Sequence, residues 1–160
     1  MVTRGIKTGE DFEQAMLGIS HEYARRSIRP YAGERDFDSC VHHAKVMQGQ
    51  LGWNPKKPKT PFSRRFFSSV AGSLKNLPHK YLRMFVAVGT PLDSRYGVDL
   101  FFEYEGAIVT VDLTISERKE DPQADVVLTL ADLEENLHYA ISYRISSLLE
   151  SRVRAISAGI

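Results

Sequence analysis

Two aspartates in the middle of the chain, Asp99 and Asp112, have the spacing of paired metal ligands. They lie in residues 96–114, YGVDLFFEYEGAIVTVDLT, where two β-rich runs flank Glu105-Gly106. A Gly-containing turn between two such runs predicts a β-hairpin. If the strands pair around that turn, residues whose numbers add up to about 211 lie opposite each other. Asp99 and Asp112 are then predicted to be neighbours across the hairpin, at the end away from the turn.

Such a pair of carboxylates predicts a divalent-cation site. Like charges directly opposite each other destabilise a sheet unless something binds them. Mg²⁺ and Mn²⁺ are hard cations that take carboxylate oxygens and keep several waters, so two adjacent aspartates suit them. The alternative is a hairpin whose aspartates are solvated and bind nothing.

The motif around these aspartates resembles that of the PD-(D/E)xK nuclease superfamily. Gly97-x-Asp99 begins one strand, a short hairpin follows, and Asp112-x-Thr114 lies in the next strand. The resemblance covers roughly residues 84 to 125. In that family the two acids hold the metal and a Lys two residues after the second acid positions or activates water. The resemblance therefore implies that Asp99 and Asp112 are metal ligands and catalytic residues, with Mg²⁺ or Mn²⁺ as cofactor.

The chain departs from the family motif at Thr114, which stands where the family has its Lys. Some members of the superfamily carry the Lys elsewhere, and others have lost activity. Arg118 and Lys119 follow the strand and could replace the missing cation. We take Lys119 as the candidate catalytic lysine.

The N-terminal region is expected to supply a third carboxylate. A capping box followed by apolar residues at helical spacing predicts one helix from about residue 9 to 27, with Glu13 and Glu22 on its flanks. In the resembled family a flanking glutamate of the first helix often completes the metal site, which implies that role for Glu22. The alternative is an exposed Glu22 that pairs with Arg25 or Arg26.

Composition limits the class of protein. A chain of 160 residues, 42% of them hydrophobic and 26% charged, is typical of one globular domain. No apolar run approaches the roughly 18 residues of a membrane span, and the N-terminus lacks a secretory signal pattern. Its one cysteine, Cys40, excludes an internal disulfide and a multi-Cys metal site. We expect Cys40 to be a buried small hydrophobe, and the protein to be cytoplasmic with no membrane partner.

Charge is distributed unevenly along the chain. Between Asp38 and Asp93 there is no acidic residue. This asymmetry predicts a polyanionic partner, with DNA favoured over RNA, although a basic loop that only keeps the protein soluble is the alternative. The candidate nucleic-acid-binding residues are Lys56, Lys57, Lys59, Arg64, Arg65, Lys75, Lys80 and Arg83. Trp53 and the neighbouring Phe66 and Phe67 are interpreted as core residues rather than base-stacking platforms.

The remaining pattern predicts an α+β fold with an α/β-like core. Further helices are expected at about residues 37–51, 61–76 and 132–152, and strands at 81–88 and 125–130. Residues 30–34 and 89–96 are expected to form loops, and residues 153–160 a final strand or a partner contact. The three- to four-stranded mixed sheet would contain the antiparallel hairpin and be flanked by N-terminal and C-terminal helices.

We expect one domain over residues 1–160, with a basic helical insertion (36–80), a sheet core (81–130) and a C-terminal helix (131–153). The resembled fold has a helix, three strands, a helix and another strand. The predicted order agrees with it in part, because an additional strand precedes the last helix.

Three functions are consistent with these features. The first is a metal-dependent nuclease or resolvase that hydrolyses phosphodiester bonds in nucleic acid. The second is a non-catalytic nucleic-acid-binding protein on the same scaffold. The third is a structural or regulatory protein, such as a viral one, whose basic face binds an acidic protein. The paired acids and the acid-free basic segment are independent features, and a nuclease function explains both. The sequence leaves open whether the protein forms a homodimer.

Overall fold

A four-stranded mixed sheet lies at the centre of the fold in the computed structural model, which describes residues 5–27, 36–115, 123–134 and 138–159. The strands neighbour each other in chain order: β1 (Leu82–Val86), β2 (Leu100–Tyr104), β3 (Ala107–Thr114) and β4 (Val126–Thr129). Strands β1, β2 and β3 form an antiparallel meander, and β4 pairs with β3 in parallel. The predicted α+β class with a mixed sheet is confirmed.

Helices precede, interrupt and follow the sheet in the chain. A short 3₁₀ turn, His79–Tyr81, leads into β1. Within the described ranges the α-helices are α1 (Gly9–Leu17), α2 (His21–Ser27), α3 (Phe37–Val46), α4 (Pro61–Ser73), α5 (Pro91–Tyr96), α6 (Leu130–Glu134) and α7 (His138–Ser157). No helix in these ranges combines the length and the apolar composition that crossing a membrane requires.

The hairpin has the predicted register. Leu100 pairs with Val111, and the connecting residues Glu105 and Gly106 both have positive φ, 45° and 92°. Two positive φ angles in a two-residue loop match the right-handed twist of the strands. The Asp99 N–H continues the ladder by donating to the Val111 carbonyl at 3.0 Å.

Both faces of the sheet are covered. Side chains alternate along β2, so Phe102 belongs to the larger core with α1, α4 and α7, and Phe101 to a smaller core with α3 and α5. Cys40 is buried in the smaller core, as predicted. Trp53 is also in the core, and its Nε1 donates to the Met84 carbonyl at 2.8 Å.

The predicted single helix from residue 9 to 27 is wrong, because it divides at Gly18. Gly18 adopts the left-handed conformation (φ 70°) and its N–H donates to the Gln14 carbonyl at 2.7 Å, which ends α1. The capping box at Thr8 and Asp11 is confirmed. Because Gly18 interrupts the helix and α2 restarts at His21, the faces of the two helices are not continuous, and residues 13 and 22 need not point to one place.

Other boundaries also differ from the prediction. Residues 91–96, expected in a loop, form α5, which begins at Pro91 and ends at Gly97 with φ 63°. The second helix ends at Val46 and continues only as turns, and α4 ends at Ser73. The tail from Val153, expected as a strand or a partner contact, continues α7 as far as Ser157. The predicted loop at residues 30–34 lies outside the described residues.

Candidate metal centre

Asp99 and Asp112 meet at the end of the hairpin away from its turn. Asp99 directly precedes β2, and its Oδ2 accepts a hydrogen bond of 2.7 Å from the Leu113 N–H of β3. Asp112 lies on β3, and its carboxyl group is close enough to that of Asp99 to contribute to the raised pKa of Asp99. Both residues are buried, Asp99 with 2% of its surface exposed and Asp112 with 5%.

Two further carboxylates reach the same point from helices. Glu13 comes from α1, which packs against β3, and Asp93 comes from the first turn of α5. One ligand atom each of Glu13, Asp93 and Asp99 lies within 4.8 Å of the other two. With Asp112 beside them, these residues form what we call the carboxylate cluster (Glu13, Asp93, Asp99 and Asp112).

Burial and mutual repulsion raise the proton affinity of this cluster. Burial, and next the hydrogen bond and charge of Glu13, raise the pKa of Asp99 well above its ordinary value. Burial also raises the pKa of Asp93 to about 6, although the Gly89 N–H, which donates to its Oδ2 at 2.9 Å, opposes the rise. Without a cation, Asp93 and Asp99 therefore hold their protons to a higher pH than isolated aspartates do.

Glu13 provides a second observation that favours a cation site. It is nine-tenths buried, and its Oε2 has no hydrogen-bond partner among the described residues. A buried polar atom that is left unpaired costs about 1–3 kcal/mol. A divalent cation would supply a partner for this oxygen and would neutralise the surrounding carboxylates, so the donor set fits Mg²⁺ or Mn²⁺.

His21 lies at the edge of the cluster. Its Nε2 is 3.9 Å from Asp93 Oδ2, and its Nδ1 is 3.5 Å from Glu10 Oε1. The His21 side chain is 25% exposed, so it stands between the buried carboxylates and solvent. Among the described residues, His21 is the basic side chain that lies within ion-pair distance of Asp93.

The structure does not place Glu22 in the cluster. Glu22 is exposed on α2 and accepts a 2.6 Å hydrogen bond from Arg26, the alternative that the sequence left open. The break at Gly18 is the physical reason, because it separates the face of α1 from that of α2. Glu13 was predicted only to lie on the other flank of that helix. In the structure it occupies the position expected of Glu22.

Sequence reasoning missed Asp93. Residues 89–96 contain the signal for a short helix, since Thr90-Pro91 is a suitable start and Gly97 a suitable end. That signal indicates that Asp93 lies in the first turn of a helix. It does not indicate that the helix places Asp93 beside Asp99. Thr114, at the motif-lysine position, ends β3 with its side chain half-buried. Arg118 and Lys119, proposed as replacements, lie outside the described residues.

The candidate nucleic-acid-binding residues do not form one patch around the cluster. Arg83 on β1 pairs with Glu103, near the hairpin turn, whereas the cluster lies beyond the Val86–Leu100 pair at the other end of these strands. Lys75 and Lys80 come before β1 in the chain, and Arg83 lies within it. Lys59 lies beside Gly18, and Arg64 and Arg65 share a surface depression with Tyr139. Lys56 and Lys57 lie in the turn after Trp53.

Comparison of the chain with protein-family models, with curated proteins and with solved structures finds no match. The functional argument therefore rests on the geometry and the electrostatics of the carboxylate cluster.

Proposed function

We propose that this protein is a divalent-metal-dependent phosphodiesterase that cleaves nucleic acid, with DNA favoured as the substrate. Glu13, Asp93 and Asp99 would hold the ion, and Asp112 would stand beside them. The supporting observation is that carboxylates from α1, α5 and the β2–β3 hairpin converge on one buried point, where Glu13 Oε2 has no partner among the described residues. Such an arrangement is costly unless a cation binds there.

The chain itself supplies a rigid ligand set. Main-chain donors fix two of the carboxylates, the Leu113 N–H on Asp99 and the Gly89 N–H on Asp93. In each aspartate Oδ2 accepts the main-chain hydrogen bond, and Oδ1 does not take part in it. When bound, Mg²⁺ or Mn²⁺ would lower the pKa of a coordinated water and offset the charge that develops on the phosphate oxygens.

The identity of the cationic group is the open part of the mechanism. The PD-(D/E)xK resemblance assigns that role to a Lys, and we retain Lys119 as its replacement, because Thr114 offers no charge. Thr114 is also the observation that favours the second candidate function, a non-catalytic nucleic-acid-binding protein on the same scaffold. A cytoplasmic location, where nucleic acid and Mg²⁺ are both present, belongs to the proposal.

Cleavage assays on supercoiled plasmid and branched DNA, with Mn²⁺, Mg²⁺ or EDTA, test this proposal. We expect metal-dependent nicking by the wild type. The cleavage rate should fall at least about 100-fold in Asp99→Asn. It should not change in Glu22→Gln, the matched carboxylate-to-amide control. Lys119→Ala should slow cleavage without preventing metal binding.

Cleavage in EDTA, or equal cleavage by wild type and Asp99→Asn, would overturn the proposal. Absence of cleavage together with salt-sensitive DNA binding would instead support the non-catalytic alternative. Absence of both cleavage and binding would contradict both functions.

A further inference from the structure

Two tyrosines of α7 stand out from the surface of the protein. Tyr139 is 62% exposed and Tyr143 is 53% exposed. They are four residues apart on a regular helix, so they lie on the same face, one turn from each other. The His138 ring lies against that of Tyr139, with 4.1 Å between the ring centroids, which limits the orientations that Tyr139 can adopt.

Basic side chains flank both rings. Arg64 and Arg65 of α4 line an open depression of about 400 Å³ together with Tyr139. Lys75 places its Nζ 5.4 Å from the centre of the Tyr143 ring. Burial, and next the charge of Arg65, lower the pKa of His138, so this ring stays neutral at pH 7 beside Tyr139.

Ser68 and Ser69 of α4 also line the depression and add two hydroxyl groups to it. No acidic residue occurs on α4, and Arg64 and Arg65 lie near its N-terminus, where the helix dipole disfavours cations. An anion in the depression would offset that cost. We call this surface the tyrosine face: Arg64, Arg65, Ser68, Ser69, Lys75, Tyr139 and Tyr143.

Exposed aromatic rings between cations have the two features that bind unpaired nucleic acid. Bases of a single strand stack on aromatic side chains, and its phosphates lie along a positively charged groove. In a duplex the base faces are hidden in the stack, so it could use only the cations. An acidic peptide would likewise leave the two rings without a matching partner.

We propose that the tyrosine face binds single-stranded nucleic acid, with bases stacked on Tyr139 and Tyr143 and phosphates on Arg64, Arg65 and Lys75. The inference rests on the proposed function, because it names the form of nucleic acid that the protein would recognise. It uses residues that are separate from the carboxylate cluster, so each can be tested without the other.

Fluorescence anisotropy in EDTA provides the test, with a labelled oligo(dT) of about 20 nucleotides, the matching duplex, and poly-glutamate as competitor. We expect tighter binding to the single strand than to the duplex. The double variant Tyr139→Ala/Tyr143→Ala should weaken single-strand binding at least tenfold, and Tyr139→Phe/Tyr143→Phe should retain it, because stacking needs the ring and not the hydroxyl.

The double variant Arg64→Gln/Arg65→Gln should bind more weakly and with a reduced salt dependence, because two phosphate contacts are lost. Tyr23→Ala is the matched control, since Tyr23 on α2 is also 53% exposed. All of the substituted residues are at the surface, and a thermal unfolding curve verifies that each variant is folded.

Unchanged single-strand binding in the double alanine variant would overturn this inference, as would equal affinity for the duplex. Displacement of the oligonucleotide by poly-glutamate at similar charge concentration would identify an acidic protein as the partner instead. Mn²⁺ binding measured on the same variants separates the two proposals. If Mn²⁺ binds but oligonucleotide binding does not depend on the tyrosines, only the inference is overturned. If oligonucleotide binding depends on the tyrosines but Mn²⁺ does not bind, only the metal site is overturned.

Discussion

Asp93→Asn is expected to stabilise the protein in metal-free buffer at neutral pH. The substitution removes one negative charge from the carboxylate cluster and keeps the size of the side chain. The amide oxygen of Asn can still accept the 2.9 Å hydrogen bond from the Gly89 N–H. The main change is therefore the loss of a charge that burial and Glu13 disfavour.

The magnitude follows from the pKa of Asp93, which is raised from 3.8 to about 6 in the folded protein. Ionising such a group at pH 7 costs the folded state about 3 kcal/mol relative to the unfolded state. The side chain is 17% exposed, so most of this cost applies. This cost already includes every favourable interaction of the charge, such as its place near the N-terminus of α5. After a discount for solvent screening, we expect a gain of about 2 kcal/mol in the free energy of unfolding.

The effect has a defined pH dependence. Because the folded-state pKa of Asp93 is higher than its unfolded-state value, the folded protein binds more protons between pH 3.8 and about 6. The free energy of unfolding of the metal-free wild type therefore falls as pH rises through that interval. The advantage of Asp93→Asn should be small near pH 4, grow as pH rises through 6, and level off above it.

Urea unfolding in EDTA at pH 5, 6 and 7.5 measures this effect. Asp125→Asn is the opposite control: burial tends to raise the pKa of Asp125, but hydrogen bonds from Arg152 and Thr110 lower it overall. Asp125 accepts hydrogen bonds of 2.7 and 2.9 Å from Arg152, so its substitution should destabilise the fold by about 1–3 kcal/mol. If Asp93→Asn is less stable than the wild type at pH 7.5 while the control behaves as expected, the electrostatic reasoning is refuted.

Three further predictions concern the motif and its support. Thr114→Lys restores the motif lysine and should raise Mn²⁺-dependent plasmid cleavage about tenfold; no gain with intact Mn²⁺ binding would argue against the PD-(D/E)xK resemblance. Gly89→Ala should lower the free energy of unfolding by about 2 kcal/mol or more in urea titrations, because Gly89 has φ 80° and a Cβ there would lie 2.7 Å from the Ala24 Cβ; equal stability would contradict the backbone path. Gln48→Leu should cost about 1–3 kcal/mol by the same measurement, because buried Gln48 accepts from the Val86 N–H at 3.0 Å and donates to the Val86 carbonyl at 2.8 Å; a stable variant would show that these bonds are dispensable.

Local patterns predicted the hairpin that brings Asp99 and Asp112 together. The two-residue turn determines the strand register, and the register determines which residues face each other. The expected helix from about residue 61 does begin at Pro61 with Thr60 as its cap, because this capping signal is local. These features depend on residues close in sequence.

The remaining cluster members depend on contacts between distant elements. Glu13 joins the cluster because α1 ends at Gly18 and packs against β3, and no periodicity within residues 9–27 determines that packing. Asp93 joins because α5 packs on α3 beside the sheet. Likewise, the acid-free segment is continuous in sequence, but its cations lie on different elements, such as Arg64 and Arg65 on α4 and Arg83 on β1.

Isothermal titration with Mn²⁺ at pH 7.5 tests most directly whether the carboxylate cluster is a metal site. We predict one ion bound per chain by the wild type. Asp99→Asn and Glu13→Gln should each weaken that binding at least tenfold, about 1.4 kcal/mol, whereas Glu22→Gln should bind as the wild type does. No binding by the wild type at millimolar Mn²⁺, or equal binding by all four proteins, would contradict the assignment of this site.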